Sequence, residues 1–363
     1  MTLRSANDPG RPRLAFVGLG WIGRMRLDAV AAAGAAHVAA LCDADPTRLR
    51  EAARRFPRAS VHETLDEVLL TPGLDGVVLA TPNALHASQA LEALRRDLAL
   101  FVQKPLGLDR TEVASILEHA RIRNRLLAVD YCYRFLDGAS TLRDWLAADE
   151  LGHVHLAEAT FHNAYGPDKP WCFDRRLSGG GALLDLGVHL VDLLFWFFGP
   201  GRARRVDGWT RELDDRPGID QLAGVHLELD PGLHARVTAS WHAHAGRDCD
   251  FRLTLHGTRS SAELRNVAGS FYDFELARWT GRSERIAVRD SRAWMDRAIL
   301  AWVRDLAAGK GYDASIETSL RVAEVVDLVY AFARGAQRSG LRRSARRSSS
   351  ALPKIWGSPG AHT

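Results

Sequence analysis

The chain has 363 residues, of which 46% are hydrophobic and 25% charged, and its formal net charge is +4. This composition is typical of a folded protein with buried cores rather than a disordered one, and the length fits two domains better than one. The basic excess lies in residues 338–354, which contain no acidic residue. Because no recognised binding motif accompanies that excess, we do not expect nucleic acid as a partner.

Neither a membrane span nor a secretory signal is predicted. A span needs roughly 18 to 20 uninterrupted apolar residues, but the most apolar run, Leu190–Phe198, is short and contains Asp192. Residues 1–13 lack the charged start, apolar centre and cleavage site of a signal, so we expect a cytoplasmic protein. The four cysteines form no CxxC pair, which indicates buried thiols rather than disulfides or a zinc site.

The first third of the chain alternates short apolar runs with alanine- and leucine-rich helical patterns. This alternation is typical of repeated strand–helix–strand units, which build a parallel sheet. The five predicted strands are Leu14–Val17, His37–Cys42, Gly76–Ala80, Leu98–Val102 and Leu126–Val129. We therefore predict an α/β domain over residues 13–134, preceded by a flexible N-terminus at residues 1–12.

A glycine-rich turn, Gly18-Leu19-Gly20-Trp21-Ile22-Gly23, directly follows the first strand and precedes the helical stretch Arg24–Ala33. Gly18 permits a tight turn, Gly20 lets the backbone approach a pyrophosphate, and Gly23 allows close helix–strand packing. The helix N-terminus offers free amides to phosphates. The residues assigned to a dinucleotide are Gly18, Gly20, Trp21, Ile22 and Gly23. Taken alone, the motif also fits an ordinary strand-to-helix turn.

Asp43, at the end of the second strand, strengthens the dinucleotide interpretation. It stands at about the 20-residue offset where an acid accepts hydrogen bonds from the adenosine ribose. An acid there repels a 2′-phosphate, which favours NAD over NADP, although Arg48 is placed to compensate in part. The alternative role, capping the next helix, belongs more naturally to Asp45, which directly precedes Pro46.

Two loops with polar residues follow the third and fourth strands: 81–86, with the sequence TPNALH, and Gln103-Lys104-Pro105. In an open parallel sheet, ligands bind at the carboxyl ends of the strands. The residues assigned to the cofactor here are Thr81, Pro82, Asn83, His86, Gln103 and Lys104. A solvated surface lysine is the alternative for Lys104. However, Pro105 imposes extended geometry on Lys104 and aims it across the crevice, and a cis Lys104–Pro105 bond is an open alternative.

From about His153 the pattern changes to alternating strands. The runs 225–229 and 235–241 have apolar residues at every second position, which suits an antiparallel sheet with one covered face. Two helical segments, Ala293–Ala308 and Ile316–Arg334, follow. We predict an α+β domain over residues 135–335. The serine-rich basic residues 336–363 are predicted to form a disordered tail.

A glycine-rich stretch leads into the most apolar helix, and residues 179–192 have the sequence GGGALLDLGVHLVD. Asp185, His189 and Asp192 stand at i, i+4 and i+7, so they share one helix face. Polar residues on a buried helix need partners, which a satisfied core network or a functional site would supply. A metal site is not predicted because the sequence places no third strong ligand there.

The combination of GLGWIG, CDADP, TPNALH, QKP, YCYRF and GGGALLDLGVHLVDLLFWFFG resembles the Gfo/Idh/MocA oxidoreductases, through about residue 335. The resemblance implies a Rossmann domain followed by a domain with an open, mainly antiparallel sheet, and assembly as a homodimer or homotetramer through that sheet. Carried over by motif, the family's functional residues fall on Lys104, Arg134, Asp185 and His189, and the resemblance implies that all four contact the substrate. Gln103 stands where the family usually has glutamate, so the charge beside Lys104 is lost while the amide can still make hydrogen bonds.

The resemblance implies NAD(P)-dependent hydride transfer to or from a secondary alcohol or ketone carbon of a sugar, cyclitol or sugar derivative, including nucleotide-linked ones. We assign His189 as the group that accepts the hydroxyl proton. Lys104 would stabilise the developing alkoxide, and Asp185 would bind an adjacent hydroxyl and orient His189. The proton roles of Lys104 and His189 are interchangeable at this stage.

The segment Asn163–Ser178, which precedes the apolar helix, is assigned to the substrate. Trp171 would pack on a sugar ring, and Arg175 would hold a carboxylate or phosphate, although an ordinary surface loop explains both residues equally well. Two other functional classes stay open. One is a noncatalytic cofactor-binding regulator, which has little need for three such polar residues together. The other is a redox-assisted glycosidase or lyase that recycles NAD within each turnover.

Overall fold

The computed structural model describes residues 10–213 and 218–344. Most of the predicted flexible N-terminus and residues 345–363 of the predicted tail lie outside this part. Within residues 10–213, six strands form a parallel sheet. These strands are β1 (Arg13–Val17), β2 (His37–Cys42), β3 (Ser60–His62), β4 (Gly76–Leu79), β5 (Ala99–Val102) and β6 (Leu127–Val129).

Along the sequence, the helices of this first unit alternate with its strands. They are α1 (Trp21–Ala32), α2 (Pro46–Arg55), α3 (Leu65–Val68), α4 (His86–Arg95) and α5 (Arg110–Ile122). The strand order β3-β2-β1-β4-β5-β6 is that of a Rossmann fold, as predicted. The order reverses between β1 and β4, and a ligand binds in the crevice at the carboxyl ends of the strands there.

The five predicted strands are confirmed, and their ends shift by no more than one residue. Strands β4 and β5 are buried along their whole length, which explains their continuous apolar sequences. The short edge strand β3 escaped prediction because it has only three residues and its one large apolar side chain, Val61, is exposed.

In the described part of the chain, a second sheet of eight strands follows. The strands are β7 (Val154–Asn163), β8 (Ala203–Arg211), β9 (Leu222–Leu229), β10 (Leu233–Ser240), β11 (Cys249–Gly257), β12 (Ser261–Asn266), β13 (Phe274–Thr280) and β14 (Ser283–Asp290). Their order is β14-β13-β12-β11-β7-β10-β9-β8, and β7–β10 is a parallel pair in an otherwise antiparallel sheet. The predicted mainly antiparallel α+β unit is thus confirmed.

One face of the second sheet packs on the apolar helix. The remaining helices are α6 (Asp137–Ala147), α7 (Arg175–Ser178), α8 (Val188–Phe198), α9 (Trp294–Ala307) and α10 (Thr318–Ser344). Val225 and Val237 of the sheet belong to the same buried cluster as Leu190 and Leu193 of α8. The side chains of His234 and Arg236 alternate with these and are exposed, so the other face of the sheet is polar.

The segment Arg175–Phe198 is long and apolar enough, by composition alone, to cross a membrane. However, 78% of its most apolar 18-residue window is buried inside the protein. A buried core helix passes the same composition test, so the segment is weak evidence for a membrane. Packing against the second sheet accounts for its apolar side chains.

The predicted domain boundaries stay predictions, but the two C-terminal helices show features that the sequence did not indicate. Helix α9 places Ile299 and Trp302 in a core cluster with Leu14 and Phe101 of the first sheet, although the sequence assigned it to the second domain. Its apolar face covers one side of the parallel sheet. Helix α10 continues to Ser344, beyond the predicted boundary at residue 335, because alanine, arginine and leucine allow a helix that has already formed to continue.

The cysteines at 42, 132, 172 and 249, which all lie in the described residues, are buried free thiols, as predicted. The Lys104–Pro105 peptide bond is cis, which was one of the two alternatives for this turn. The loops at the carboxyl ends of β4 and β5 contact the segment before α8, through Asn83 with Ser178 and Lys104 with Asp185, and this junction contains the residues described next.

Candidate active site

The three glycines of the turn after β1 have different surroundings. Gly18 has φ +89°, and a Cβ atom there would lie 2.4 Å from the carbonyl oxygen of Ala80. A Cβ at Gly23 would lie 1.9 Å from the Gly18 carbonyl oxygen. By contrast, a Cβ at Gly20 would meet nothing of the described chain within 4 Å. Gly18 and Gly23 are thus required by packing, whereas Gly20 borders open space that a bound phosphate fits.

Helix α1 begins in front of this space. Its N-cap is Gly20, and no side chain of the described residues caps the helix. Trp21 and Ile22 form its first turn, and Trp21 is 50% exposed. Backbone amides at a helix start lack intrahelical acceptors and carry partial positive charge. The turn therefore fits the pyrophosphate of a dinucleotide.

The carboxylate of Asp43 closes the glycine turn against β2. Its Oδ2 accepts a hydrogen bond from the Leu19 amide at 2.6 Å, and its Oδ1 accepts one from the Asp45 amide at 2.8 Å. Each carboxylate oxygen keeps capacity for another donor, such as a ribose hydroxyl. Arg48 lies 3.6 Å from Asp43 and offsets part of its charge. As predicted, Asp45 caps α2, by accepting from the Thr47 amide.

The loop after β4 joins the two units of the protein. The Asn83 amide donates to the Ser178 carbonyl oxygen at 2.9 Å, and the Thr81 hydroxyl donates to Gln89 at 2.6 Å. Thr81, Pro82 and Asn83 are half-buried at the carboxyl end of β4. Their assignment to the cofactor therefore stays a prediction that their position supports.

His86 does not reach the crevice, and its assignment to the cofactor is wrong. The ring is fully buried, with Nδ1 2.7 Å from the Pro105 carbonyl oxygen and Nε2 2.9 Å from the Thr81 carbonyl oxygen. Burial lowers the pKa of His86. Because both ring nitrogens contact backbone oxygens, His86 links the loops after β4 and β5 instead of binding a ligand.

Lys104 and Asp185 form an ion pair between the first unit and the helical segment before α8. The Nζ atom of Lys104 lies 2.6 Å from Asp185 Oδ1 and 2.8 Å from the Asp185 carbonyl oxygen. The two side chains are 18% and 35% exposed, so the pair is open to a ligand. Burial raises the pKa of Asp185, but the charge and hydrogen bond of Lys104 outweigh it, and the pKa lies below its ordinary value.

Asp185 lies in a π-helical turn rather than in the regular helix predicted from the sequence. Residues Leu183–Gly187 are π-helical, and the Val188 amide donates to the Leu183 carbonyl oxygen. α8 proper begins only at Val188. Such turns are rare and frequently occur at functional sites. Here the turn carries the Asp185 carbonyl oxygen and carboxylate that both accept from Lys104.

Trp241 holds the other oxygen of this carboxylate, a role that the sequence did not reveal. Its indole Nε1 donates to Asp185 Oδ2 at 3.1 Å, and the ring is buried after the end of β10. The alternating pattern identified Trp241 only as a core position. The signal that points to more is the indole N–H, because a buried tryptophan usually finds an acceptor for it.

Asp220 anchors the glycine-rich start of the same segment and was also missed. Its carboxylate accepts from the amides of Gly181 and Leu183 and from the Tyr330 hydroxyl, each at 2.8 Å. A Cβ at Gly180 would lie 2.0 Å from the Tyr330 hydroxyl, and one at Gly181 1.8 Å from the Asp220 carbonyl oxygen. The glycines are therefore needed for the close approach of Asp220 and Tyr330.

His189 follows on α8, with its ring edge-on to Tyr133 at a centroid distance of 4.9 Å. Its Nδ1 is buried and has no hydrogen-bond partner among the described residues. Burial, reinforced by the charge of Lys104, lowers the pKa of His189 well below its ordinary value. The imidazole is therefore neutral at physiological pH. Lys104 and Asp185 are in direct contact, and the charges of both act on His189, so the three predicted residues lie in one region of the structure.

Arg134 and Asp192 form a separate pair deeper along α8. Arg134 Nε donates to Asp192 Oδ2 at 2.7 Å, and its Nη2 donates to Oδ1. Asp192 is 1% exposed, and burial raises its pKa although Arg134 partly offsets this. A carboxylate buried on an apolar helix requires a cationic partner, so this pairing gives Arg134 a structural role, and its predicted substrate contact stays a prediction.

The segment between β7 and α7 approaches the cofactor turn. Lys169 Nζ lies 5.7 Å from the centroid of the Trp21 ring. The Arg175 guanidinium donates to the Gly218 carbonyl oxygen at 2.7 Å, and Trp171 is half-buried. The contact of Arg175 is with backbone, so its exposed guanidinium still has donors for a ligand. The substrate roles of Trp171 and Arg175 stay predictions.

Gln103 precedes Lys104 and is buried at the end of β5. Its amide donates to Asp130 rather than turning towards the crevice. Direct contact between this side chain and the cofactor is therefore not supported, because the amide is already bound to a buried carboxylate.

Comparison with known proteins gives consistent matches. Residues 12–131 match the oxidoreductase family with an NAD-binding Rossmann fold, and residues 139–263 match the GFO/IDH/MocA C-terminal domain. A curated relative, the putative UDP-kanosamine synthase oxidoreductase subunit of Amycolatopsis mediterranei, is 29% identical over 277 residues, which cover 71% of this chain and 76% of that protein.

Two solved structures share the fold. KijD10, a 3-ketoreductase from Actinomadura kijaniata in complex with NADP and TDP-benzene, has a TM-score of 0.79 at 22% identity and covers 89% of this chain and 98% of its own. GenD2 from gentamicin A biosynthesis, in complex with NAD, has a TM-score of 0.78 at 24% identity, covering 92% of this chain and 97% of its own. At these identities, the likeness establishes the shared fold.

Proposed function

The chain belongs to the Gfo/Idh/MocA family of NAD(P)-binding oxidoreductases, and we propose that it transfers hydride to or from a secondary alcohol or ketone carbon of a nucleotide-linked sugar. The observation that carries the proposal is the partly exposed pair of Lys104 and Asp185 next to a neutral His189. Two relatives support the substrate class, because one is named for UDP-kanosamine synthesis and the other was crystallised with a TDP compound.

The cofactor proposal rests on the turn after β1. When bound there, a nicotinamide dinucleotide supplies the hydride acceptor or donor. The open space at Gly20 and the uncapped start of α1 would hold its pyrophosphate. We propose NAD as the preferred form, because the negative charge of Asp43 would repel a 2′-phosphate. Arg48 lies 3.6 Å from Asp43 and would offset only part of this repulsion. Steady-state kinetics should give a higher kcat/KM with NAD than with NADP.

Lys104 and Asp185 would bind the reacting end of the sugar. The ammonium of Lys104 stabilises negative charge on the oxygen of the reacting carbon, because a cation in a partly buried site acts more strongly than in water. Asp185 accepts a hydrogen bond from a neighbouring sugar hydroxyl. Trp241 and Lys104 each hold one oxygen of this carboxylate, which keeps its position fixed before the substrate arrives.

His189 would hold the proton in transit. Its neutral imidazole accepts the proton of the substrate hydroxyl in the oxidative direction and returns it to the carbonyl oxygen in the reverse direction. The lowered pKa keeps the accepting form available throughout the physiological range. Lys104 contributes to the low pKa, so the cation that stabilises the oxygen also keeps the imidazole unprotonated.

A further part of the proposal concerns the assembly and location of the protein. We propose a cytoplasmic enzyme that forms a homodimer or homotetramer through the polar face of the second sheet, without nucleic acid or membrane partners. Glu158, His234 and Arg236 are exposed side chains of that face, and Arg236 stands opposite Glu158 across the β7–β10 pair. Light scattering of the purified protein measures the assembly, and a monomer would contradict it.

A substrate panel tests the proposed function. UDP- and TDP-linked hexoses, the corresponding free sugars and cyclitols are each incubated with the protein and NAD or NADP, and the absorbance of reduced nicotinamide is followed. We expect steady reduction with at least one sugar nucleotide. Product without net reduction would indicate internal recycling of NAD, and tight cofactor binding without any turnover would indicate a regulator. Either result contradicts the proposal.

A further inference from the structure

A buried charged network lies directly behind Lys104. Arg26 of α1 and Asp130, which follows β6, are each 1% exposed. The Arg26 Nε atom donates to Asp130 Oδ2 at 2.6 Å, and its Nη1 donates to the Met295 carbonyl oxygen of α9, also at 2.6 Å. One guanidinium therefore joins the cofactor helix to the neighbouring strand end and to the first turn of α9.

Gln103 completes this network from the strand that ends at the lysine. Its Nε2 donates to the same Oδ2 atom of Asp130 that Arg26 binds. Val102 and Val129, in the preceding positions, are register partners on the parallel strands β5 and β6, which sets the two side chains next to each other. The second oxygen, Oδ1, is buried and has no partner among the described residues.

The charges of the network balance only while residue 103 is neutral. Arg26 contributes one positive charge and Asp130 one negative charge, and the Gln103 amide supplies a donor without a charge. Gln103 stands where the family usually has glutamate, so the sequence alone indicated the loss of a negative charge behind the lysine. The structure places a buried carboxylate on the adjacent strand instead.

We propose that Asp130, Gln103 and Arg26 act as one positioning unit that fixes Lys104 relative to the cofactor helix α1. Asp130 is the carboxylate of this unit, and Gln103 transmits its position to the backbone that carries Lys104. Arg26 lies on the helix whose N-terminus borders the open space at Gly20. Two buried hydrogen bonds, from Arg26 and from Gln103 to Asp130, thus connect α1 to the residue before Lys104.

The effect on activity rests on the proposed function, whereas the effect on stability does not. Displacing a reacting group by about 1 Å lowers turnover by roughly 100-fold. A second carboxylate against Asp130 would push the Gln103 segment away, because two like charges at hydrogen-bond distance in a buried site repel strongly. The isosteric change Gln103→Glu therefore tests the unit without changing its volume.

The variants are Q103E, Q103M and the double variant Q103E/D130N, with Q89E as the matched control. Gln89 is half-buried and accepts from the Thr81 hydroxyl, a bond that a carboxylate also accepts. We expect Q103E to lower Tm by roughly 5 °C or more and Q89E by less than about 2 °C. The double variant again has a single carboxylate near Arg26, now at position 103, so it should regain more than half of the loss in Tm.

Turnover separates positioning from general damage. With the substrate found by the panel, Q103E should lose roughly 10- to 100-fold in kcat, while the Kd of the cofactor changes less than about threefold. The double variant should regain part of the lost kcat. Q103M, which loses the donor without adding charge, should lose less in Tm and kcat than Q103E.

The pH dependence gives a signature that a steric defect would not show. Among the described residues, the charged or titratable groups around this network are Arg26, Asp130, Lys104, Cys132, His189 of α8 and Asp296 of α9. A proton shared by two carboxyls removes their repulsion, so the Tm deficit of Q103E should shrink as the pH falls towards about 5.

The outcomes divide cleanly. Any one of three results overturns the proposal. They are a Q103E protein that is as stable as the native one, a double variant that is no more stable than Q103E, and a Tm deficit of Q103E that does not depend on pH. If Q103E fails to fold, recovery of a folded protein by Q103E/D130N supports the unit, and failure of both while Q103M folds overturns it. Because unfolding and cofactor binding need no substrate, failure of the proposed function alone leaves these results interpretable.

Discussion

Two ion pairs join the first unit to one continuous helical segment, and they differ in exposure and in the pKa of their carboxyl groups. Lys104 and Asp185 meet at the π-helical start, where the carboxylate is 35% exposed, whereas Arg134 and Asp192 meet inside α8, where the carboxylate is 1% exposed. Burial acts to raise the pKa of both carboxyl groups. At Asp185 the charge and hydrogen bond of Lys104 outweigh burial, so the pKa is lowered. At Asp192 Arg134 offsets only part of the effect of burial, so the pKa is raised.

The difference separates a pair that a ligand can enter from a pair that only the fold uses. The ammonium of Lys104 is a compact charge that can turn to a substrate oxygen while keeping one contact with Asp185. The planar guanidinium of Arg134 makes two hydrogen bonds with Asp192 and leaves that carboxylate no exposed surface to offer. We therefore expect mutations of the first pair to affect turnover and mutations of the second to affect stability.

The largest expected effect is the loss of turnover on mutation of the Lys104–Asp185 pair, called the open pair below. Lys104→Met should lower kcat roughly 1000-fold, about 4 kcal/mol, because the charge that stabilises the reacting oxygen is lost. The Kd of the cofactor, measured by fluorescence titration, should stay within about threefold. Lys310→Met is the matched control, since Lys310 pairs with Asp305 and is 60% exposed. Equal kcat for the Lys104 variant and this control would contradict the comparison.

Mutation of the Arg134–Asp192 pair should change the stability of the protein instead. Arg134→Met leaves Asp192 buried without its cation and should reduce the free energy of unfolding by about 3 kcal/mol, as measured by urea denaturation. The kcat of the remaining folded protein should stay within about threefold. A stable Arg134 variant with a raised KM for the sugar would instead restore the substrate role that the sequence suggested.

Asp185→Asn sharpens the contrast within the open pair. The amide keeps an acceptor for Lys104 or Trp241 but removes the charge, so kcat should fall roughly 10- to 100-fold, about 2 kcal/mol. The free energy of unfolding should change by less than about 1 kcal/mol because the pair is partly exposed. The paired variant Asp192→Asn should show the opposite ranking, and the same ranking for both aspartates would refute the distinction.

The pH profile is the smallest of the expected effects. His189 is neutral in the active form, and its lowered pKa means that acid protonates it only well below its ordinary pKa. A histidine of pKa about 6.5 would lose roughly three quarters of its neutral form by pH 6. In the oxidative direction kcat/KM should therefore change less than about twofold between pH 7 and 6. A steep fall centred near 6.5 would show that His189 titrates normally.

The predictable part of this molecule is the part that depends on neighbours in the sequence. The strands, the glycine turn and the cap at Asp45 each follow from a few adjacent residues, and the structure has them as predicted. The convergence of Lys104 with Asp185 was also foreseen, because the carboxyl ends of parallel strands meet at one edge and the motifs resemble a known family.

The remaining contacts depend on partners that no local pattern connects. Asp192 finds Arg134 across 58 positions of the chain, and Asp185 finds Trp241 across 56. Spacing placed Asp192 on the same face as Asp185 but said nothing of which cation each would meet. His86 shows the same limit in reverse, since a polar residue in the expected loop turned inwards to backbone carbonyls.

A crystal structure of the protein with its cofactor and a sugar nucleotide tests the central claim most directly. We predict that the reacting sugar carbon lies roughly 3 to 3.5 Å from the nicotinamide carbon that exchanges hydride. Its oxygen should contact Lys104 and His189, while Arg134 stays on Asp192. A sugar oxygen bound by Arg134, or a nicotinamide ring remote from Lys104, would contradict the account.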